Sequence, residues 1–239
     1  MTSTANSVYY RLDGSVATIT LDDGKVNVLG PTMQQKINDA LDRAEQDTLG
    51  GRAKAVVIAG NGRVFSAGFD LAVFQSGGAE AALAMLAGGF RLAVRTLTFP
   101  GPVIMAATGP AIAMGSFLLL TGDHRVGQPK TRCQANEVAI GMTIPISAIE
   151  IMRMRLTPPA FQRAVSMAAT FSGQDALSAG WLDEIVDAPD VVTRAQQVAE
   201  AASILNAGAH LASKLKAREG ALAAIRAGIV GLATEFTLG

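Results

Sequence analysis

Phe65-Ser66-Ala67-Gly68-Phe69-Asp70-Leu71 and Gly109-Pro110-Ala111-Ile112-Ala113-Met114-Gly115-Ser116-Phe117 are the two stretches that decide how this chain folds. Each leaves an apolar segment, passes through small residues and enters a segment of helical pattern, so each reads as a strand, a tight turn and a helix start. A helix start carries N–H groups with no intrahelical partner. Two such donors aimed at one point make an oxyanion hole, which stabilises developing negative charge far better in a dry site than water would. Between Cys133 and Gly141 lies Glu137, placed to be the base beside that hole.

Outward from these turns the pattern alternates. Val8–Leu12 and Val16–Leu21 flank Asp13-Gly14 and read as a hairpin. Pro31 suits a first helical turn, and Met33, Ile37, Ala40, Leu41 and Ala44 fall at helical spacing to about Gln46. Ala55–Ala59 and Val103–Ala107 are short apolar runs of the kind buried on both faces of a parallel sheet. Residues 79–97 and 115–121 read as helices, with 125–127 and 132–134 as short strands. Segments 158–170, 172–179, 191–205 and 209–232 read as helices dominated by Ala, Gln, Glu, Arg and Leu. The alternation predicts an α/β core followed by a helical segment.

The 239 residues exceed the common single-domain size, so a large core with a smaller appendage is expected. Lys+Arg 20 balance Asp+Glu 20, which leaves no net field to recruit nucleic acid or an acidic membrane. Cys133 is the only cysteine, so no disulfide framework exists, and a reducing cytoplasm is the expected compartment. It reads as buried filler. Met1–Ser7 lacks the basic and apolar regions of a leader, and no apolar run approaches the ~20 residues of a membrane span. Gly60-Asn61-Gly62 lacks the third glycine of a dinucleotide fingerprint. His124 and His210 have no ligand cluster around them, so no metal is expected. Ser116 lacks the flanking glycine of a nucleophile elbow.

Phe65–Asp70, the second turn at Met114, the pair Gly122-Asp123, and Glu137 four residues before Gly141 together resemble the crotonase superfamily, also called the enoyl-CoA hydratase/isomerase family. The resemblance runs from about Val8 to Trp181. It implies a repeated ββα spiral at residues 1–185 with CoA and oxyanion sites, and a C-terminal helical lid and trimerisation segment at 186–239. It also implies a homotrimer or a hexamer of two trimers. The catalytic set becomes Glu137 with the backbone N–H groups of Phe69 and Met114. The substrate is a coenzyme A thioester, and no cofactor is required. Lys25-Val26-Asn27-Val28-Leu29 is similar to the family's CoA loop. With it, Lys25, Val26, Val28, Ala67, Asp70 and Leu71 are expected to cradle the CoA, while Lys214 is a second candidate for a phosphate.

One position departs from the hydratase pattern. Hydratases of this family carry a second glutamate three positions after the second donor, and Phe117 stands there. A phenyl ring can neither activate water nor donate a proton. Asn136-Glu137 and Pro145 are similar to the single-glutamate Δ3,Δ2-enoyl-CoA isomerases. The expected reaction therefore moves a 3-enoyl double bond to the 2-position through a dienolate. Two alternatives stand beside it: a hydratase or other acyl-CoA lyase that recruits a carboxylate such as Glu150, and an acyl-CoA-binding homologue without catalysis.

Overall fold

The computed structural model describes residues 7–235; the reading of the first six residues lies outside them. Strands β1 (Val8–Asp13) and β2 (Val16–Leu21) form the expected hairpin, with Val8 opposite Leu21 and Asp13 opposite Val16. Helix α1 (Pro31–Leu49) begins at its proline, buries the five apolar residues that the spacing singled out, and runs three residues past Gln46. Next come β3 (Ala55–Ala59), α2 (Leu71–Ser76), α3 (Gly78–Leu97), β4 (Val103–Ala107), β5 (Ala111–Ile112) and α4 (Met114–Leu120). The chain continues through β6 (His124–Gly127), β7 (Arg132–Gln134), α5 (Ile146–Arg155), α6 (Pro158–Met167), β8 (Phe171–Ser172), α7 (Gly173–Ala179), β9 (Glu184–Ile185), α8 (Val191–Ala202) and α9 (Ala207–Glu235).

Six strands make one sheet in the order β1-β2-β3-β4-β6-β9, antiparallel only between β1 and β2. β3 and β4 are buried throughout, as runs without alternation require. On one face Val57, Ala59, Ile104, Ala106 and Val126 pack against Val191, Ala195 and Ala199 of α8. On the other, Val56, Ile58, Val103 and Met105 meet Ile37, Leu41, Leu86 and Phe90 from α1 and α3. The segment expected as a C-terminal appendage thus supplies α8, one cover of the main sheet, and α9, which lies along α3 and α5.

Several elements differ from the sequence reading. α2 has six residues, too few to show a period, and is started by Asp70, whose carboxylate accepts from the N–H of Ala72 at 3.0 Å. α5 carries apolar residues on all sides and so shows no stripe; it buries Ser147, Ala148, Ile151 and Met152. α6 stops at Met167 because Ala168 takes a left-handed φ of +46°, and Phe171–Ser172 is a strand where a helix start was expected.

A second layer positions the site. Its sheet has the order β5-β7-β8, and loops extend the same ladder outward: Ser66 bridges Ala111, and Val28 bridges Gly68. Each spiral turn therefore contributes a long strand to the main sheet and a short one to this ladder.

Candidate active site

The ladder register brings the two turns together. Ser66 pairs with Ala111, and Ala111 pairs in parallel with Cys133. Three residues beyond these partners stand Phe69, Met114 and Asn136, so all three leave the ladder at one level. The turns are sewn by Phe65 N to Pro110 O at 2.9 Å, Ile112 N to Ser66 O at 3.0 Å and Ala113 N to Gln134 O at 2.8 Å. Gly115 permits this approach: a Cβ there would lie 2.4 Å from the Ser66 carbonyl oxygen.

Gly68 adopts φ +92°, and a Cβ on it would sit 3.3 Å from the Met114 nitrogen and 2.8 Å from the Ile112 oxygen. The turn that carries Phe69 N is therefore packed against the turn that carries Met114 N. Neither N–H donates to an acceptor among the described residues. Ala113, just before the second donor, is held at φ +48° and ψ −126°. An alanine in that region is strained by about 1 to 3 kcal/mol, and the strain turns the Met114 N–H out of the ladder at the start of α4.

Beside Phe69 and Ala113, the residue just before the second donor, lies a cleft that is open at its mouth and lined also by Phe74, Phe90, Phe117, Asn136 and Glu137 among others. Phe69 meets Phe74 and Phe90 edge-on at 6.2 and 6.3 Å, and Phe90 stacks on Phe117. Against this aromatic wall Glu137 is 7% exposed, and its Oε2 has no partner among the described residues. Removal from water penalises the carboxylate and pushes its pKa up to about 7, which suits proton transfer near neutral pH. No other carboxylate lines the cleft among the described residues. A buried carboxyl with a pKa near 7 in a largely aromatic cleft can take a proton from carbon next to a carbonyl, and two N–H groups without acceptors can hold the resulting enolate if both reach its oxygen.

The profile of the enoyl-CoA hydratase/isomerase family matches residues 11–235. The chain belongs to this family. Its fold is the crotonase fold that the resemblance implied. A structure described as the enoyl-CoA isomerase of Mycobacterium tuberculosis is 53% identical, with TM-score 0.93 over 98% of this chain and 100% of that one. A structure described as the probable enoyl-CoA hydratase EchA3 of Mycobacterium tuberculosis H37Rv is 55% identical, with TM-score 0.94 over 97% and 96%. The probable enoyl-CoA hydratase EchA14 of Mycobacterium tuberculosis is 29% identical over 88% of this chain and 81% of its own length.

In this enoyl-CoA hydratase/isomerase the loop at Lys25–Leu29 is tied to the first turn, and a residue that the sequence reading passed over organises it. Asn27, fully buried at φ +53°, donates through Nδ2 to Leu21 O at 2.9 Å and Phe65 O at 3.1 Å, while its own carbonyl accepts from Ser66 Oγ at 2.7 Å. Asp23 accepts from the N–H groups of Lys25, Asn27 and Val28. An asparagine three residues after Asp22-Asp23-Gly24 was the available signal, because asparagine is one of the few residue types that takes a left-handed backbone in a loop. Lys25 and Val26 are exposed beside this frame, and Leu71 lines the cleft. Ala67 also lines it, but its N–H donates to Val26 O at 2.9 Å and so is not open to a ligand. Asp70 is the α2 cap, which holds its carboxylate on its own helix.

Other members of the sequence reading lie elsewhere. Lys214 is no phosphate partner. Its ammonium is buried and donates to Asp123 at 2.7 Å, to Gly101 O at 3.1 Å and to Phe99 O at 3.3 Å. Glu150 pairs with Arg153 on α5, away from the cleft lining. Cys133 is fully buried, and burial pushes its thiol up to about 12, so it is inert filler. His124 faces Glu184 with Nε2 at 3.5 Å. Among the described residues no cluster of His, Cys, Asp or Glu could hold a metal ion, and no helix is long and apolar enough to cross a membrane.

Proposed function

We propose that the protein moves a 3-enoyl-CoA double bond to the 2-position, with Glu137 as the single acid/base. The observation that carries this reading is that Glu137 is the sole carboxylate lining the cleft among the described residues, with buried Phe117 where hydratases of the family keep their second glutamate. Glu137 takes a proton from C2 of the thioester. The C–H electrons pass into a dienolate, whose oxygen sits between the N–H groups of Phe69 and Met114. The double bond shifts as C4 takes the proton back from the same carboxyl. Water would divert the dienolate, and the Phe69, Phe90 and Phe117 wall keeps it out.

In this reading Lys25, Val26, Val28, Ala67, Asp70 and Leu71 flank the CoA moiety, and no cofactor takes part. The working form is a homotrimer or a hexamer in the cytoplasm. Hydratase names among the relatives favour the alternative, yet Glu150 is held by Arg153 and no second carboxylate lines the cleft among the described residues. A panel of enoyl-CoA thioesters tests the choice. Consumption of 3-enoyl-CoA with gain of conjugated 2-enoyl absorbance is expected. Rapid conversion of 2-enoyl-CoA to 3-hydroxyacyl-CoA would replace this reading with hydration, and binding without turnover would leave an acyl-CoA carrier.

A further inference from the structure

We propose that Asn136 is a positioning residue for Glu137: its carboxamide oxygen draws the protonated carboxyl away from C2, so that the proton is delivered to C4. The inference rests on the isomerase reading above. Asn136 leaves the ladder level with Phe69 and Met114, because Cys133, Ala111 and Ser66 are neighbours in one register and each of the three stands three residues further on. It lines the same cleft as Glu137. Its Oδ1 and the Glu137 Oε2 are both buried acceptors with no donor among the described residues.

While Glu137 is ionised, two unmatched acceptors on consecutive residues are unfavourable, since neither oxygen then has a proton to give. Proton abstraction changes that. Once the C2–H bond breaks and its proton sits on Glu137, the carboxyl becomes an O–H donor, and Asn136 Oδ1 is the acceptor on the same turn. A neutral hydrogen bond of about 1 kcal/mol is strong enough to turn the O–H from C2 and weak enough to release the proton to C4. A purely structural role does not account for this oxygen. Gln134, two residues earlier, shows what one looks like, its Nε2 donating to Ala168 O at 2.8 Å.

The test separates proton abstraction from proton delivery. Hexanoyl-CoA in D2O reports C2 exchange by mass spectrometry, and 3-hexenoyl-CoA reports isomerisation. Asn136→Leu is expected to keep exchange and KM within about 3-fold of the parent while kcat for isomerisation falls about 10-fold or more. Asn136→Ser, which restores a small acceptor, is expected to recover part of that loss with an unchanged Tm. Equal losses of exchange and isomerisation in both variants, or parent-like kcat in Asn136→Leu, would overturn the assignment. Parent protein that exchanges the C2 proton yet forms no 2-enoyl product would instead overturn the isomerase reading beneath it.

Discussion

Phe117 stacks on Phe90 with ring centroids 6.5 Å apart and an interplanar angle of 24°, and both rings are 1% exposed. This pair lines the cleft, and in the isomerase reading it stands where a hydratase would hold its water. Phe117→Glu is expected to introduce trace hydration of a 2-enoyl thioester, because two carboxylates would then face one substrate. The same change deletes a buried ring and adds a buried charge, so stability should fall by about 2 to 4 kcal/mol. Release of 3-hydroxyacyl-CoA and urea denaturation of parent and variant measure the two effects; robust hydration by the parent would contradict both this expectation and the isomerase reading.

Glu137→Gln keeps the shape of the side chain and removes its proton chemistry. Turnover should fall by about two to four orders of magnitude while CoA affinity, measured by calorimetry, stays within a few-fold. A variant with nearly parental activity would exclude Glu137 as the base.

The same substitution has a sign in stability. The folded-state pKa of about 7 lies above the ordinary 4.5, so the folded protein binds a proton that the unfolded chain has already lost. That contribution is fully present below about 4.5 and disappears as pH rises through 7. The gap is worth about 3 kcal/mol. Glu137→Gln should therefore be stabilising at pH 8 and close to neutral at pH 4.5 in chemical denaturation. The parental kcat/KM should rise with pH through an acid limb near 7.

Gly68→Ala tests the coupling of the two turns. At φ +92° an alanine is strained, and its Cβ would stand 2.8 Å from the Ile112 oxygen and 2.9 Å from the Ala113 Cβ. The backbone that carries the Phe69 and Met114 donors must shift. Stability should drop by about 2 to 4 kcal/mol, and kcat by about 100-fold, the loss seen when one oxyanion donor is removed. Parent-like kcat in a folded variant would separate Gly68 from the site.

Asp123 anchors α9. It accepts from Lys214 at 2.7 Å, Arg218 at 2.6 Å and Val103 N at 2.8 Å. Burial alone would raise its pKa, but the two cations outweigh it and hold the carboxyl below its ordinary 3.8. Its stabilisation is thus present above about 3.8 and lost as pH falls through the lower folded value. Asp123→Ala leaves two cations buried without a counter-charge and should cost about 3 to 5 kcal/mol at pH 7. Urea midpoints at pH 7 check this, and Lys214→Met in the same chain should recover part of the loss.

The local pattern was enough for much of the molecule. The apolar runs at Ala55–Ala59 and Val103–Ala107 could only be strands buried on both faces, and the spacing from Met33 to Ala44 could only pack as one helical stripe. The turns at Gly68 and Ala113 were equally legible, because they depend on residue type and short spacing, whereas the missing carboxylate at Phe117 was legible only through the family resemblance. Helix α5 was not, since its apolar residues surround the axis, and α2 was too short to show a period. Lys214 misled for a related reason: a lysine in a sequence carries no record of the aspartate that holds it 91 positions away. What only the tertiary structure decided is the register of the second ladder. Ser66, Ala111 and Cys133 are separated by 45 and 22 positions, and hydrogen bonds between strands, which no local pattern specifies, set them side by side. That register puts Phe69, Met114 and Asn136 at one level and Glu137 beside a phenyl wall, and so brings three short motifs into one candidate site.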